Sequence, residues 1–261
     1  MANNAKKQSF LSGAATLAGA VAVVKLIGAV YRLPVNNILS AEGKAYFQIA
    51  YNVYNFFLTV STAGLPLAIS KLTSQANALG RRNEQRKLFR TAIWLFLALG
   101  VVLTLLMFFG ADQLAALNYQ PMAAPAIRTL APAVFCLCLL ACMRGYTQGQ
   151  GNMIPTAVSQ VLEVLLKLGV GLPTALYVMK TLKIGVAYGA AGAILGVTVS
   201  EVVALCFMGL YLLRHRDNTP GTDAPPSSGT LMKQVLSIGI PITLSNSAMS
   251  IITLLDMQIV L

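Results

Sequence analysis

The sequence predicts an all-α fold, a polytopic bundle of transmembrane helices. Hydrophobic residues make up 56% of the 261 residues and charged residues only 10%, with a mean hydropathy of +0.70. A soluble domain usually carries about 25% charged residues. The apolar residues are gathered in long runs, and a run of about 20 such residues is enough to cross a bilayer. The runs show no strand-like alternation, and they exceed the roughly 11 residues of an outer-membrane strand.

The first two runs predict the first pair of spanning helices. Phe10–Val30 is apolar but contains Lys25, and Ala45–Ser70 is apolar but rich in Tyr, Asn, Gln and Thr. Gly64-Leu-Pro66 is expected to loosen the second helix near one end. A cation on one helix and a polar face on its neighbour predict a water-filled cavity between the helices rather than two helices that face only lipid.

Five further apolar runs complete the predicted bundle, and the segments between them are polar. A basic segment, Lys71–Arg90, precedes the third run, and Ala111–Pro125 follows it. The linker Arg214–Lys233 is hydrophilic and rich in Pro, Gly and Ser, a composition typical of flexible segments. The five runs are Thr91–Gly110, Ala126–Tyr146, Thr156–Met179, Tyr188–Leu213 and Gln234–Leu261.

This order predicts three units. Residues 1–213 form a lobe of six spans, residues 214–233 form a cytoplasmic linker, and residues 234–261 form the first helix of a second lobe. We expect the sequence to be a fragment whose second lobe is truncated.

Net charge and loop charges predict a cell-membrane protein with a cytoplasmic N-terminus. The net charge of +11 is explained by basic cytoplasmic loops, so nucleic acid is not an expected partner. With the N-terminus inside, twelve Lys and Arg residues fall on the cytoplasmic side and five on the other. The Lys71–Arg90 segment supplies most of this difference.

Glycines at four-residue spacing predict close helix packing. The pairs are Gly145/Gly149, Gly185/Gly189 and Gly192/Gly196, and small residues at this spacing let helix backbones approach each other in a membrane.

Ionisable residues inside the spans are the candidates for a functional site. Glu163 and Lys167 are four residues apart on one helix, so they either neutralise each other or form a cavity pair that a substrate or ion disrupts. Glu201 and Asp256 have no partner on their own helices. Each is a candidate proton or cation site, or the partner of Lys25 across the bundle.

Lys25 has no acid within a helical turn. Its partner is therefore either an anionic substrate group such as a phosphate, or one of the acids Glu163, Glu201 and Asp256 on another helix. Arg32 lies at the predicted outer mouth, where it either takes part in the same site or anchors the helix to lipid headgroups.

The sequence contains no motif that would support the hypothesis of an enzyme. A Gly-rich phosphate loop, an HExxH pair and a Ser/His/Asp arrangement are all missing, and the cysteines lack metal-ligand spacing. We expect no enzyme, no metal and no cofactor, with coupling to Na⁺, H⁺ or the membrane potential left open.

Seven strings of the sequence are characteristic, and in chain order they are Ser9–Ala15, Lys25–Pro34, Tyr46–Tyr54, Ser61–Lys71, Arg144–Gln160, Ile238–Thr243 and Leu255-Asp256. They resemble the stage V sporulation protein B-like (MurJ-like) polysaccharide biosynthesis flippases of the multidrug/oligosaccharidyl-lipid/polysaccharide exporter superfamily.

The resemblance implies a MATE-like N-terminal lobe and a flippase that moves an undecaprenyl-diphosphate-linked saccharide, lipid II or a polysaccharide unit, across the cytoplasmic membrane by alternating access. Lys25 and Arg32 match the basic residues of the first helix that face the cavity and hold the diphosphate. The polar second helix, with Tyr51 and Asn55, is expected to bind sugars. Phe47–Ile69 lacks the further cavity arginine of lipid II flippases from Gram-negative bacteria, which leaves the cargo open.

Two alternatives remain open. A cation-coupled multidrug exporter of the same superfamily would depend on Glu163, Glu201 or Asp256. A non-transporting membrane scaffold for cell-envelope synthesis would tolerate neutral residues in place of Lys25 and Arg32. For a flippase, the expected partners are the lipid-linked saccharide, membrane lipids and the missing C-terminal lobe of the same chain.

Overall fold

The computed structural model describes residues 10–62, 64–182, 185–215 and 221–259, and its regular structure there is helical. The predicted all-α class is therefore confirmed. The helices are α1 (Phe10–Ile38), α2 (Ala41–Thr62), α3 (Leu65–Ala78), α4 (Arg82–Phe109), α5 (Ala111–Leu117), α6 (Ala124–Gly149), α7 (Ile154–Tyr177), α8 (Val186–Arg214) and α9 (Ser228–Ile259). A short 3₁₀ turn precedes α6, and a π-helical turn extends α7 to Leu182.

Four stretches of the described chain are long and apolar enough to cross a membrane. They are Arg82–Phe109, Pro121–Gly149, Ile154–Thr181 and Val186–Arg214. The chain is thus a multi-pass membrane protein. Within α1, the stretch Ala15–Val30 is apolar but shorter.

The first helix runs further than its apolar stretch. α1 continues from Val30 through Pro34 to Ile38, so the polar segment after the first run is mostly helical. The junction that follows is well packed, because Leu39 is buried against Ala175 of α7 and Ala193 of α8.

The predicted second span is divided into two helices. α2 ends at Thr62, and α3 begins at Leu65 after Gly64, with Pro66 in its first turn. Proline is well tolerated in a first turn, where its missing N–H needs no partner. Gly64 also lies against α9, because a Cβ at this position would clash with the carbonyl oxygen of Gly239.

The prediction of a polar loop over Lys71–Arg90 was wrong. α3 continues to Ala78, α4 begins at Arg82, and only a tight turn with Gly80 at φ +68° joins them. The physical reason is that both helices extend beyond their apolar parts. Charged side chains favour solvent, but they do not oppose helix formation.

The linker is likewise shorter than predicted. α9 begins at Ser228 rather than near Gln234, and its first turn is capped because the backbone N–H of Thr230 donates to Ser227 Oγ (3.2 Å). Leu231 and Val235 then bury their side chains in the main core. The early part of α9 packs against α2, α3 and α4.

Helix α6 is the centre of the bundle and packs against α2, α3, α4 and α8. Two glycines allow its closest contact, since a Cβ on Gly145 would lie 2.6 Å from the carbonyl oxygen of Pro66, and one on Gly149 would lie 2.6 Å from that of Ser70. The predicted packing role of this glycine pair is confirmed.

Helices α7 and α8 form the second tight pair. A Cβ on Gly196 would clash with the backbone of Gly171, and Thr174 Oγ1 donates to the carbonyl of Gly192 (2.6 Å). Helix α1 packs against α7. The resulting order brings polar residues of α2, α6, α7 and α8 together inside the lobe.

Candidate functional site

The ammonium group of Lys25 lies on an exposed part of α1. Within the described part of the chain, its predicted pairing with Glu163 or Glu201 does not occur, because Glu163 pairs with Arg144 and the Glu201 carboxyl is bonded by Tyr54. Arg32 follows seven residues later, and seven residues are nearly two helical turns, so the two positions share one face of α1. The side chains of Arg32 and Asp256 lie outside the described residues.

On α2, the two predicted sugar-binding residues differ in their surroundings. Asn55 is exposed, whereas Tyr51 is half-buried and stacks on Phe47 with 5.7 Å between ring centroids. Lys167 Nζ, on α7, donates a hydrogen bond to Tyr51 Oη (3.3 Å). The phenol of Tyr51 therefore joins the polar face of α2 to the ammonium group of Lys167, which is also half-buried.

Glu163 forms its ion pair with α6 rather than within α7. Arg144 Nη2 lies 3.0 Å from Glu163 Oε2, and Arg144 Nε donates to Ser159 Oγ (2.9 Å). The two charged side chains are only 13% and 19% exposed. Glu163 and Lys167 share a face of α7 as predicted, but their closest polar partners are Arg144 and Tyr51.

Glu201 is the most enclosed acid of the described chain. Its side chain is completely buried, Tyr54 Oη donates to Oε1 (3.1 Å), and Oε2 has no hydrogen-bond partner. The charged groups that act on it are Glu163, Arg144 and Lys167. A buried carboxylate is costly unless it is paired and hydrogen-bonded, so this half-satisfied group is chemically unusual within the lobe.

Together these residues form a polar cluster that joins four helices, and we call it the intralobe cluster. Its members are Tyr51, Tyr54, Arg144, Ser159, Glu163, Lys167 and Glu201. With Glu201 ionised, its two cations and two anions balance. It lies inside the helical bundle, whereas Lys25 is exposed on α1.

Sequence reasoning missed three members of the cluster, Tyr54, Arg144 and Ser159. It counted Arg144 as a cytoplasmic loop charge, although α6 places the side chain against α7, and it gave Tyr54 no role. A signal for Arg144 was its place at the end of an apolar run, 19 residues before an acid inside the next one. A signal for Tyr54 was its position one turn after Tyr51.

Comparisons with known proteins place this lobe in a family. Residues 10–261 match the family model described as "Polysaccharide biosynthesis protein". Three proteins of Bacillus subtilis are similar in sequence. Stage V sporulation protein B is 29% identical over 77% of the chain, the lipid II flippase MurJ is 28% identical over 67%, and the uncharacterized membrane protein YabM is 30% identical over 96%.

The chain spans less than half the length of these relatives, 39%, 34% and 47% respectively. Solved structures show the same fold. A MOP superfamily transporter from Pyrococcus furiosus matches 94% of the chain with a TM-score of 0.76 at 20% identity. An outward-facing multidrug resistance MATE transporter matches 92% with a TM-score of 0.68 at 24% identity. The chain covers 55% and 54% of these two structures. MurJ is a flippase by name, in agreement with the prediction that the chain is not an enzyme.

Proposed function

The chain belongs to the polysaccharide biosynthesis protein family, and from this premise we propose that it is the first lobe of a flippase for a lipid-linked saccharide diphosphate. The cargo would be an undecaprenyl-diphosphate-linked sugar unit, either a lipid II-like peptidoglycan precursor or a polysaccharide unit. The similarity to MurJ, a lipid II flippase by name, supports this class of cargo. The similarity to stage V sporulation protein B leaves a role in sporulation open.

The single observation that favours an anionic cargo is the distribution of charge. The acids Glu163 and Glu201 are bonded inside the lobe, whereas the cation Lys25 is exposed on α1. One unit charge attracts an opposite charge 4 Å away by about 4 kcal/mol at an effective dielectric constant near 20. With α1 proposed to face the substrate cavity, an exposed lysine on it would contribute usefully to diphosphate binding.

Arg32 and the polar face of α2 would complete the site. Arg32 shares a face of α1 with Lys25, and a guanidinium binds phosphate oxygens in a bidentate manner. Asn55 is exposed and offers both a donor and an acceptor to sugar hydroxyls. Tyr51 would bind sugar while keeping its hydrogen bond with Lys167.

Transport would follow from rocking of this lobe against a second one, with the site near the membrane midplane. The second lobe is the expected partner of α9, and the polyprenyl tail would remain in lipid. The protein would lie in the cell membrane with its N-terminus in the cytoplasm. Coupling to H⁺, Na⁺ or the membrane potential is open. Within this proposal, Glu201 and Asp256 are the candidate coupling acids.

A cation-coupled multidrug exporter is the second candidate, and one observation favours it. The buried Glu201 has an unbonded oxygen, which suits proton exchange better than a purely structural role. The MATE structures share the fold, but their identity to this chain is too low to carry function. The Pyrococcus furiosus structure is described as having a binding pocket of reversed polarity and a different function, so one fold accommodates pockets of different charge.

Complementation tests the proposal. The full-length protein is expressed in cells depleted of their lipid II flippase, as wild type and as Lys25→Ala, with Lys44→Ala as a matched control at an exposed lysine on α2. We expect wild type and Lys44→Ala to restore growth and Lys25→Ala to fail at equal expression. If Lys25→Ala also restores growth, Lys25 is not the anion site. If the well-expressed wild type does not rescue, the cargo is not lipid II, and the exporter or an envelope-synthesis scaffold takes its place.

A further inference from the structure

The segment between α8 and α9 is tied to the first lobe by four hydrogen bonds. Asp223 Oδ1 and Oδ2 accept from the backbone N–H groups of Asn83 (3.0 Å) and Glu84 (2.8 Å). In return, Asn83 Nδ2 donates to the carbonyl oxygens of Gly221 and Asp223 (2.9 Å each). We call residues 221–223 the linker strap.

The strap completes a helix end that has no local cap. The residue before α4, Arg81, accepts no side-chain hydrogen bond from the backbone N–H groups of the first turn. A carboxylate at this position satisfies free N–H groups and interacts favourably with the positive end of the helix dipole. Here the carboxylate comes from a residue 140 positions later in the chain.

Local geometry makes the strap specific. A Cβ on Gly221 would lie 2.8 Å from Asn83 Oδ1 and 2.6 Å from Asp223 Oδ1, so a larger residue would displace the contact. Desolvation opposes ionisation of Asp223, but the N–H donors of Asn83 and Glu84 outweigh it, and they lower the pKa of this carboxyl. Arg81 acts in the same direction.

The strap shortens the tether that leads to α9. Thirteen residues separate Arg214 from Ser228, and a free chain of that length would reach at most about 45 Å. Only residues 224–227 lie between the strap and α9, and they reach at most about 14 Å. Pro225 and Pro226 stiffen this short piece further.

We propose that the linker strap is a fixed anchorage that limits how far the start of α9 moves from the N-terminal end of α4. The tether between the lobes is then residues 224–227, and α9 pivots about Pro225-Pro226. This inference concerns the connection between helices and is independent of the transported cargo. The burial of Leu231 and Val235 against the first lobe accords with it.

Hydrogen exchange tests whether the strap forms. The full chain in lipid nanodiscs is compared as wild type, Asp223→Ala and Thr222→Ala, the last being an exposed neighbour that serves as control. We expect the amides of Asn83 and Glu84 to exchange at least tenfold faster in Asp223→Ala, with α6 unchanged as the check on folding. Equal exchange in wild type and Asp223→Ala would overturn the proposal. Should Asp223→Ala fail to fold, Asp223→Asn, which keeps one acceptor oxygen, is expected to give intermediate exchange, and wild-type rates would overturn the proposal.

Spin-label distances test whether the strap limits α9. Labels at Asn77 and Gly229, both exposed, report the separation of the α3–α4 turn and the start of α9, after the exposed Cys206 is replaced by Ser. We expect a narrow distance distribution in wild type and in Thr222→Ala, and a broader one with longer distances in Asp223→Ala. An unchanged distribution in Asp223→Ala would reduce the strap to a local helix cap and refute the tether.

Discussion

Removal of Arg144 should destabilise the lobe through the charge that it leaves behind on Glu163. Loss of one partner of a buried ion pair typically costs about 3–5 kcal/mol. The two side chains retain 13% and 19% exposure, so we expect a cost at or just below the lower limit of this range, about 2–3 kcal/mol, for Arg144→Met. Ser159 adds little to this cost, because its hydroxyl keeps its bond to the carbonyl of Thr156.

The double variant Arg144→Met/Glu163→Leu isolates the ion pair. Replacing both partners by apolar residues of similar size is often neutral, so stability should return to within about 1 kcal/mol of wild type. The assay is reversible unfolding in mixed micelles with increasing SDS, followed by far-UV circular dichroism.

A surface pair provides the control. Arg128 and Asp112 form an ion pair with side chains 44% and 63% exposed, and such pairs contribute about 0–1 kcal/mol. Arg128→Met should therefore change stability by less than half as much as Arg144→Met. Equal effects of the two substitutions, or a double variant no more stable than Arg144→Met alone, would refute the assignment of a buried pair.

Two further results are expected from the packing and from the strap. Gly145→Ala should destabilise the chain by about 1–3 kcal/mol in the same assay, because the added Cβ would press on the carbonyl of Pro66. Gly19 has open space around it, so Gly19→Ala should not destabilise the chain. Equal effects of the two substitutions would contradict the close contact at Gly145. Because the pKa of Asp223 is lowered in the folded chain, the strap's contribution to stability is complete above the ordinary Asp pKa of about 3.9 and is lost as the pH falls through the lower folded value. The amide exchange of Asn83, corrected for intrinsic rates, should show this loss only below about pH 4, and a midpoint near neutral pH would contradict it.

The helical class could be predicted because several independent features of the sequence indicate it. Long apolar runs, few charges and four-residue glycine spacing all point to packed spanning helices, and Gly145 and Gly149 lie where that spacing predicts a close contact. Helix ends were harder to predict. Lys71–Arg90 looks like a loop by charge, yet charged residues continue a helix as well as they form a turn, and only Gly80 marks the actual break.

Some residues of the intralobe cluster stand out in the sequence, but their pairing does not. Lys25, Glu163 and Glu201 stand out because ions are rare in apolar runs. Which ions meet depends on the rotation and contact of helices far apart in sequence. Tyr54 and Glu201 are separated by 147 positions, and nothing local in either segment identifies the other. The linker strap could not be predicted for the same reason, because it joins residues 140 positions apart.

The contact between Arg144 and Glu163 also bears on how the protein enters the membrane. On insertion scales, a charged residue at the centre of a helix costs about 3 kcal/mol, and less toward the ends. Helices α6 and α7 are consecutive and are joined by a short turn, so they are suited to enter the bilayer as one hairpin. Because Arg144 meets Glu163 only when both helices are present, we expect the ion pair to make the membrane insertion of these two helices interdependent.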